Sequence, residues 1–225
     1  MTLLIIVLIL ALLWVLAVQG RSSHPGMKEL RGWNYAHRGL HGDGAAENSM
    51  TAFRLAMENG YGMEFDLHLL KDGNLGVMHD SLLNRTTGQA GRIEDLYTQD
   101  LKNYRLENTE DTIPQFADVL TLVDGQVPLI IELKLEDGNH AQLAETACKM
   151  LEGYKGVFCI ESFDPRCIAW LRKNRPDIIR GQLSENFFRD RTDLSDTLKF
   201  LLTHNLANFL SRPDFIAYKF ADRNS

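Results

Sequence analysis

Residues 62–80 read GMEFDLHLLKDGNLGVMHD, and how this stretch folds back decides the arrangement of the rest. On a strand, successive side chains alternate between two faces. Glu64, Asp66 and His68 therefore share one face, and Met63, Phe65 and Leu67 share the other. Between the two β-like runs lies LKDGN, whose Asp72-Gly73 pair is a tight-turn signal. Reflecting the chain about that pair sets Asp66 opposite His79. The expected hairpin brings a carboxylate and an imidazole to one level of a sheet with no helix between them.

Outward from the hairpin, short β-like runs alternate with helical stretches. Strands are expected at Trp33–Ala36, Gly62–Leu67, Leu75–Met78, Pro128–Leu133, Val157–Ser162, Ile178–Leu183 and Phe215–Tyr218. Asn48 is expected to cap a helix through SMTAFRLAMEN that Gly60 terminates. HAQLAETACKMLEGY puts Leu143, Ala147 and Leu151 on one helical face. Asp164-Pro165 supplies the cap and first-turn proline of a helix through CIAWLRKN that stops before Pro176. Alternation on this scale implies an α/β protein with a parallel sheet or barrel.

The chain has 225 residues, 44% hydrophobic and 24% charged, enough for one sizeable core and not the composition of a disordered protein. Its net charge of -6 gives no basic footprint for nucleic acid. Three cysteines, Cys148, Cys159 and Cys167, cannot all pair within one chain, so they read as small core hydrophobes in a reducing compartment. Leu3 to Val18 carries no charge. Sixteen helical residues span roughly 24 Å, and Thr2, Gln19 and Gly20 could extend them toward a bilayer core. A cleaved signal peptide competes with this reading but lacks its basic leading region. The expectation is a single-pass transmembrane anchor over 1–20, a linker over 21–32 and a folded domain over 33–225. Arg21, Lys28 and Arg31 follow the apolar run, which assigns that domain to the cytoplasmic side of the membrane.

In Ile130-Ile131-Glu132-Leu133-Lys134, Glu132 and Lys134 share a face opposite Ile131 and Leu133. Two apolar strands thus each push acids toward one side. Like charges about 4 Å apart repel by about 4 kcal/mol at an effective dielectric near 20, so the acids need protons, a cation or basic partners. Oxygen ligands select a hard divalent cation, Mg²⁺ or Ca²⁺. His37-Arg38 follows the first strand, where a barrel places reactive groups, and the Arg38 fork suits phosphate oxygens. His37 and His79 could divide acid and base work between them. Together these groups suggest phosphoester chemistry. His68 is expected to pack or bond locally.

From Trp33 to Leu183 the chain resembles the glycerophosphodiester phosphodiesterase family. The resemblance rests on YAHRGLHGDGAAENSMTAFRLAMENG, YGMEFDLHLLKDGNLGVMHDSLLNRTTGQAGRIEDL, IPQFADVL, LIIELK and ESFDP, in consistent order and spacing. It implies a TIM-type (β/α) barrel variant and hydrolysis of a glycerophosphodiester to an alcohol and sn-glycerol 3-phosphate. By that resemblance Glu64, Asp66 and Glu132 hold the cation, His37 and His79 are the acid/base pair, Arg38 and Lys134 meet the phosphate, and Glu47 orients the site. Phe163 stands where family members have an aromatic near the glycerol backbone, and Glu161 where glutamine is usual. Family members continue through a tryptophan-threonine strand and a glycine-aspartate-rich strand beyond KFADRNS, so the barrel is expected to be C-terminally incomplete. Alternative readings are a lysophospholipase D-type enzyme acting on lysolipids, and an inactive barrel remnant serving as a binding or scaffold module.

Overall fold

The computed structural model describes residues 2–21 and 24–223. Met1 of the expected anchor, Ser22 and Ser23 of the expected linker, and Asn224 and Ser225 of the expected domain lie outside the described residues. In chain order the elements are α1 (Thr2–Val18), α2 (Met27–Leu30), β1 (Tyr35–His37), α3 (Met50–Glu58), β2 (Gly62–Leu69), β3 (Leu75–Val77), α4 (Asn84–Thr87), α5 (Phe116–Val123) and β4 (Leu129–Leu133). They continue with α6 (His140–Met150), β5 (Phe158–Ser162), α7 (Pro165–Asn174), β6 (Ile179–Ser184), α8 (Phe187–Asp190), α9 (Asp196–Thr203), α10 (Asn208–Ser211) and β7 (Phe215–Tyr218). Each expected strand is present with its ends within two residues of the expected ones, and Phe215–Tyr218 has the expected bounds. The chain divides into two compact units, residues 26–160 and residues 1–25 with 161–225.

In the unit of residues 26–160, β2 is the organising strand and all eight of its residues are buried. It pairs in parallel with β1, setting His37 beside Glu64, and with β4, setting Asp66 beside Glu132. Its apolar face packs under α3 and α5, where Phe65 lies 5.5 Å from Phe53 and 5.9 Å from Phe116 between ring centroids. Full burial of each such ring is worth about 1.5–3 kcal/mol. Leu70, Met78, Leu83, Ile93, Leu101, Leu106 and Ile113 form a second apolar cluster beneath the excursion that follows the hairpin.

The hairpin is present, but its register differs from the reflection about Asp72-Gly73. Leu67 pairs with Val77 and Leu69 with Leu75, and the Asp66 carbonyl accepts from the Met78 N–H at 3.1 Å. The connection closes with Leu70 N–H donating to Asn74 O at 2.8 Å, leaving Lys71-Asp72-Gly73 as a three-residue loop. Gly73 takes φ +83, the left-handed conformation such a loop requires. The centre of reflection is Asp72, so Met78 rather than His79 lies across from Asp66.

A second difference concerns the cap of α3. Ser49, not Asn48, is the N-cap, its hydroxyl accepting from Ala52 N–H at 3.1 Å. Asn48 sits one residue earlier with φ +54. Asp164 does cap α7 as expected, accepting from Arg166 N–H at 2.8 Å.

In the unit of residues 1–25 and 161–225, β6 pairs in parallel with β7 from Gly181↔Phe215 to Ser184↔Tyr218. The apolar N-terminal run is helical, but the transmembrane expectation fails. Helix α1 has 17 residues, a rise of about 25 Å against a hydrocarbon core of about 30 Å. Among the described residues no helix is long and apolar enough to cross a membrane. The single-pass anchor, the membrane localisation and the cytoplasmic orientation drawn from its flanking charges fall together. Gln19 and Gly20 do not extend the helix because the chain there is tied to 212–214. Arg212 Nη1 donates to Gln19 O at 2.6 Å, and Arg21 N–H donates to Pro213 O at 2.8 Å. A side chain at Gly20 would put its Cβ 2.4 Å from Pro213 O.

Candidate active site

The charged residues of β2 and β4 are brought together as alternation and parallel pairing require. One carboxylate oxygen each of Glu64, Asp66 and Glu132 lies within 4.8 Å of the others, and all three residues are buried. Lys134, just past β4, places Nζ 2.8 Å from Glu132 Oε1 and 3.0 Å from Asp66 Oδ1. Asn48 donates its amide to Asp66 Oδ2 at 2.8 Å. Burial pushes the Asp66 carboxyl up, but Lys134, His79 and the Asn48 amide together hold it below its ordinary value. Glu132 goes the other way. Burial, with repulsion from Asp66 and against the pull of Lys134, raises it to about 7. The Lys134 ammonium, though buried, is held above its ordinary value by Glu132 and Asp66.

The chain turns sharply after β1. Arg38 has φ +59 and Gly39 φ +77. A Cβ at Gly39 would come within 2.9 Å of the Ala52 side chain, so only glycine fits the turn. This turn points Arg38 N–H at Glu64 Oε2 (3.1 Å) and brings His37 Nε2 to 3.7 Å from the same oxygen. The Arg38 guanidinium donates from Nη1 to both Glu47 oxygens at 3.1 and 3.2 Å. Its Nε is buried without a hydrogen-bond partner, 3.9 Å from Asp66 Oδ2.

His79 follows β3, with Nδ1 2.7 Å from Asp80 Oδ1. That bond fixes the ring and leaves Nε2 for chemistry. Burial lowers the pKa of both site histidines, with Arg38 adding to the effect at His37 and Lys134 at His79. His68 is fully buried behind the site, its Nδ1 2.7 Å from Glu94 Oε1 and its Nε2 3.2 Å from the His79 carbonyl. It bonds locally, as expected, and steadies the backbone that carries His79.

Two residues that sequence reasoning did not single out complete the site. Arg85, on α4, donates from Nε to Asp80 Oδ2 and from Nη2 and Nη1 to Glu47 at 2.5 and 3.1 Å. It thus joins the carboxylate that holds His79 to the carboxylate that holds Arg38. Glu47 stays ionised below its usual range because these two arginines outweigh its burial. Glu94 holds His68 and accepts from Ser81 Oγ at 2.7 Å. Their partners lie 38 and 26 residues away in sequence, beyond any local motif. Phe163 belongs to the unit of residues 161–225, where its ring meets Phe187 edge-on at 6.2 Å.

The donor set fits a hard divalent cation. It is all oxygen, it is buried, and burial together with repulsion from Asp66 pushes Glu132 toward protonation. Nothing in the set distinguishes Mg²⁺ from Ca²⁺.

Comparison with known proteins agrees with this geometry. The profile of the Glycerophosphoryl diester phosphodiesterase family matches residues 37–218. A glycerophosphodiester phosphodiesterase of Bacillus altitudinis is 32% identical over 155 residues, 64% of this chain and 63% of that protein. The one from Caldanaerobacter subterraneus is 28% identical over 159 residues, 66% of this chain and 65% of that protein. The chain thus spans just under two thirds of the length of these curated relatives. Among solved structures, an Oleispira antarctica phosphodiesterase in complex with the product sn-glycerol-3-phosphate superposes with a TM-score of 0.66 at 23% identity, covering 79% of this chain and 74% of that one. A glycerophosphodiester phosphodiesterase from Thermotoga maritima gives 0.58 at 24% identity, covering 82% and 72%. These likenesses show the fold, the α/β barrel type that the family resemblance implied and one of the two arrangements that strand–helix alternation left open.

Proposed function

The chain belongs to the glycerophosphoryl diester phosphodiesterase family, and from that premise we propose that it hydrolyses a glycerophosphodiester to an alcohol and sn-glycerol 3-phosphate with a divalent cation. The observation that carries this reading is the convergence of Glu64, Asp66 and Glu132 beside two histidines and two cationic side chains. Glu64, Asp66 and Glu132 would hold the cation, Mg²⁺ or Ca²⁺, which when bound supplies positive charge for phosphoryl oxygens. Arg38, whose Nε makes no hydrogen bond, and Lys134 orient the phosphate and meet the charge that builds on it in the transition state. His37 and His79 both favour the neutral form, so either can accept a proton from the attacking nucleophile. The other, once protonated, gives its proton to the departing alkoxide. Glu47 and Asp80 orient Arg38 and His79 respectively. The resemblance at ESFD alone gives Phe163 a contact with the glycerol backbone, and Phe163→Ala tests it: KM should rise more than kcat falls.

Release of sn-glycerol 3-phosphate from glycerophosphocholine by the purified chain tests the reading, with chelator and with Mg²⁺ or Ca²⁺ restored. The expected result is turnover that chelation abolishes and one of the cations restores. Turnover indifferent to chelator overturns the cation's part. Turnover of lysophosphatidylcholine alone replaces the substrate class, and no turnover of either ester overturns the proposed activity.

A further inference from the structure

In the unit of residues 1–25 and 161–225, a pocket of about 370 Å³ is lined by Gln19, Gly20 and four arginines: Arg21, Arg172, Arg180 and Arg212. Guanidinium groups stay charged in proteins, so such a cluster needs an accounting of its counter-charges. Among the described residues, Asp214 is the one carboxylate hydrogen-bonded to any of the four. It accepts from Arg21 Nε and Nη2, each at 2.5 Å, and from the backbone N–H of Arg180 at 3.0 Å. Four guanidiniums against one carboxylate leave a surplus of three positive charges.

The remaining bonds go to neutral carbonyls. Arg172 Nη1 donates to Phe209 O and Leu210 O at 2.8 and 3.0 Å, and Arg212 Nη1 to Gln19 O at 2.6 Å. Arg180 donates from Nε to Ser211 O at 3.1 Å and from Nη2 to Arg212 O at 2.8 Å. These bonds close the C-terminus of α10 and orient the side chains, but they cancel no charge. Arg180 is only 3% exposed, and its Nη1 has no hydrogen-bond partner. Its burial and the nearness of Arg21 and Arg172 all disfavour its charged form. Helix capping and chain stitching account for the carbonyl bonds. They do not account for the surplus charge or for the unsatisfied Nη1.

We propose that this arginine-lined pocket binds a phosphate group. The planar guanidinium fork matches phosphate oxygens two at a time, and a phosphate monoester carries close to two negative charges at neutral pH, which suits a surplus of three. The site lies wholly in residues 1–25 and 161–225 and does not depend on the proposed hydrolysis. The same chemistry is offered by free phosphate and by a phosphate carried on a lipid.

Calorimetric titration of inorganic phosphate into the full chain tests the proposal. It is done with chelator present and with Arg38→Ala, which removes the main phosphate contact of the carboxylate centre. The expected result is saturable binding of one phosphate per chain. Arg172→Gln and Arg212→Gln together should weaken it at least about tenfold, the scale of a lost charged hydrogen bond, while the double variant still melts in one cooperative transition in phosphate-free buffer. Arg180→Met should abolish binding. Because Arg180 is buried and its loss also bears on folding, the pair at Arg172 and Arg212 decides the matter. No saturable binding, or the same affinity in the double variant, overturns the proposal. A parallel titration with a monomeric short-chain phosphatidic acid separates the sources: equal affinity assigns free phosphate, and at least tenfold tighter binding assigns a lipid phosphate.

Discussion

Asp66 is held by Asn48 on one oxygen and Lys134 on the other, with Arg38 Nε 3.9 Å away. The two histidines are less encumbered, and their substitution isolates chemistry from structure. His37→Ala and His79→Ala should each lower kcat by about 10²-fold or more while leaving thermal stability nearly unchanged. Since burial depresses both imidazoles, the neutral form persists into acid, and the acid limb of kcat/KM should fall below the ordinary histidine value of about 6.5. A limb above that value in steady-state pH profiles would contradict the burial argument. Arg85 yields a prediction of a different kind. Glu47 and Asp80 both bond to it and both have lowered pKa values, burial in each case being outweighed by Arg85 and its fellow donors. A carboxylate so depressed contributes stability that is present above its unfolded pKa, about 4, and is lost as pH falls through the folded value. Arg85→Ala should therefore lower Tm most near neutrality, and the gap from the parent should close below about pH 4. It should also reduce kcat, because Asp80 and Glu47 then hold His79 and Arg38 without their common anchor.

The turn into α3 shows how two adjacent polar residues divide structural and site work. Ser49 caps the helix, and Asn48 turns its amide to Asp66. Ser49→Ala should cost about 1 kcal/mol of stability and leave cation affinity unchanged. Asn48→Ala should weaken cation binding by about 10–100-fold, the scale seen when a group that orients a metal ligand is lost, besides the backbone cost of alanine at φ +54. Cation titrations and denaturant melts on the two variants separate these outcomes. Strand alternation made Glu64, Asp66, Glu132 and Lys134 legible in the sequence, because a period of two and a parallel register are enough to converge them. The register of the hairpin was not legible to the residue. Asp72-Gly73 signals a turn, but whether the loop has two or three residues depends on where Leu70 and Asn74 bond, which is decided by packing on both sides of the sheet. Asn48 misled for a similar reason: asparagine and serine are both good caps, and only the position of Asp66, across the fold, decides which one turns inward. The apolar run before Gln19 has the composition of a span, and what stops it short is contact with Pro213 and Arg212, nearly two hundred residues on.

At the scale of the molecule, the three carboxylates proposed to hold the cation all belong to one unit, residues 26–160. A ligand that binds only the folded form stabilises it by mass action, and a divalent cation at about one hundred times its Kd should add about 2.7 kcal/mol. Scanning calorimetry with and without chelator should show that gain, and Glu64→Gln or Glu132→Gln should abolish it. A gain that survives either variant would place the cation elsewhere.

Because strand pairing gathers the charged centre from β2 and β4, its last member in sequence is Lys134, 27 residues before the second unit resumes at Glu161. A ribosome makes the chain from its N-terminus. Every carboxylate of the charged centre, and the lysine that balances it, has therefore been synthesised before Glu161 is added. Translation places the need for counter-charge early, while roughly the last ninety residues of the chain do not yet exist.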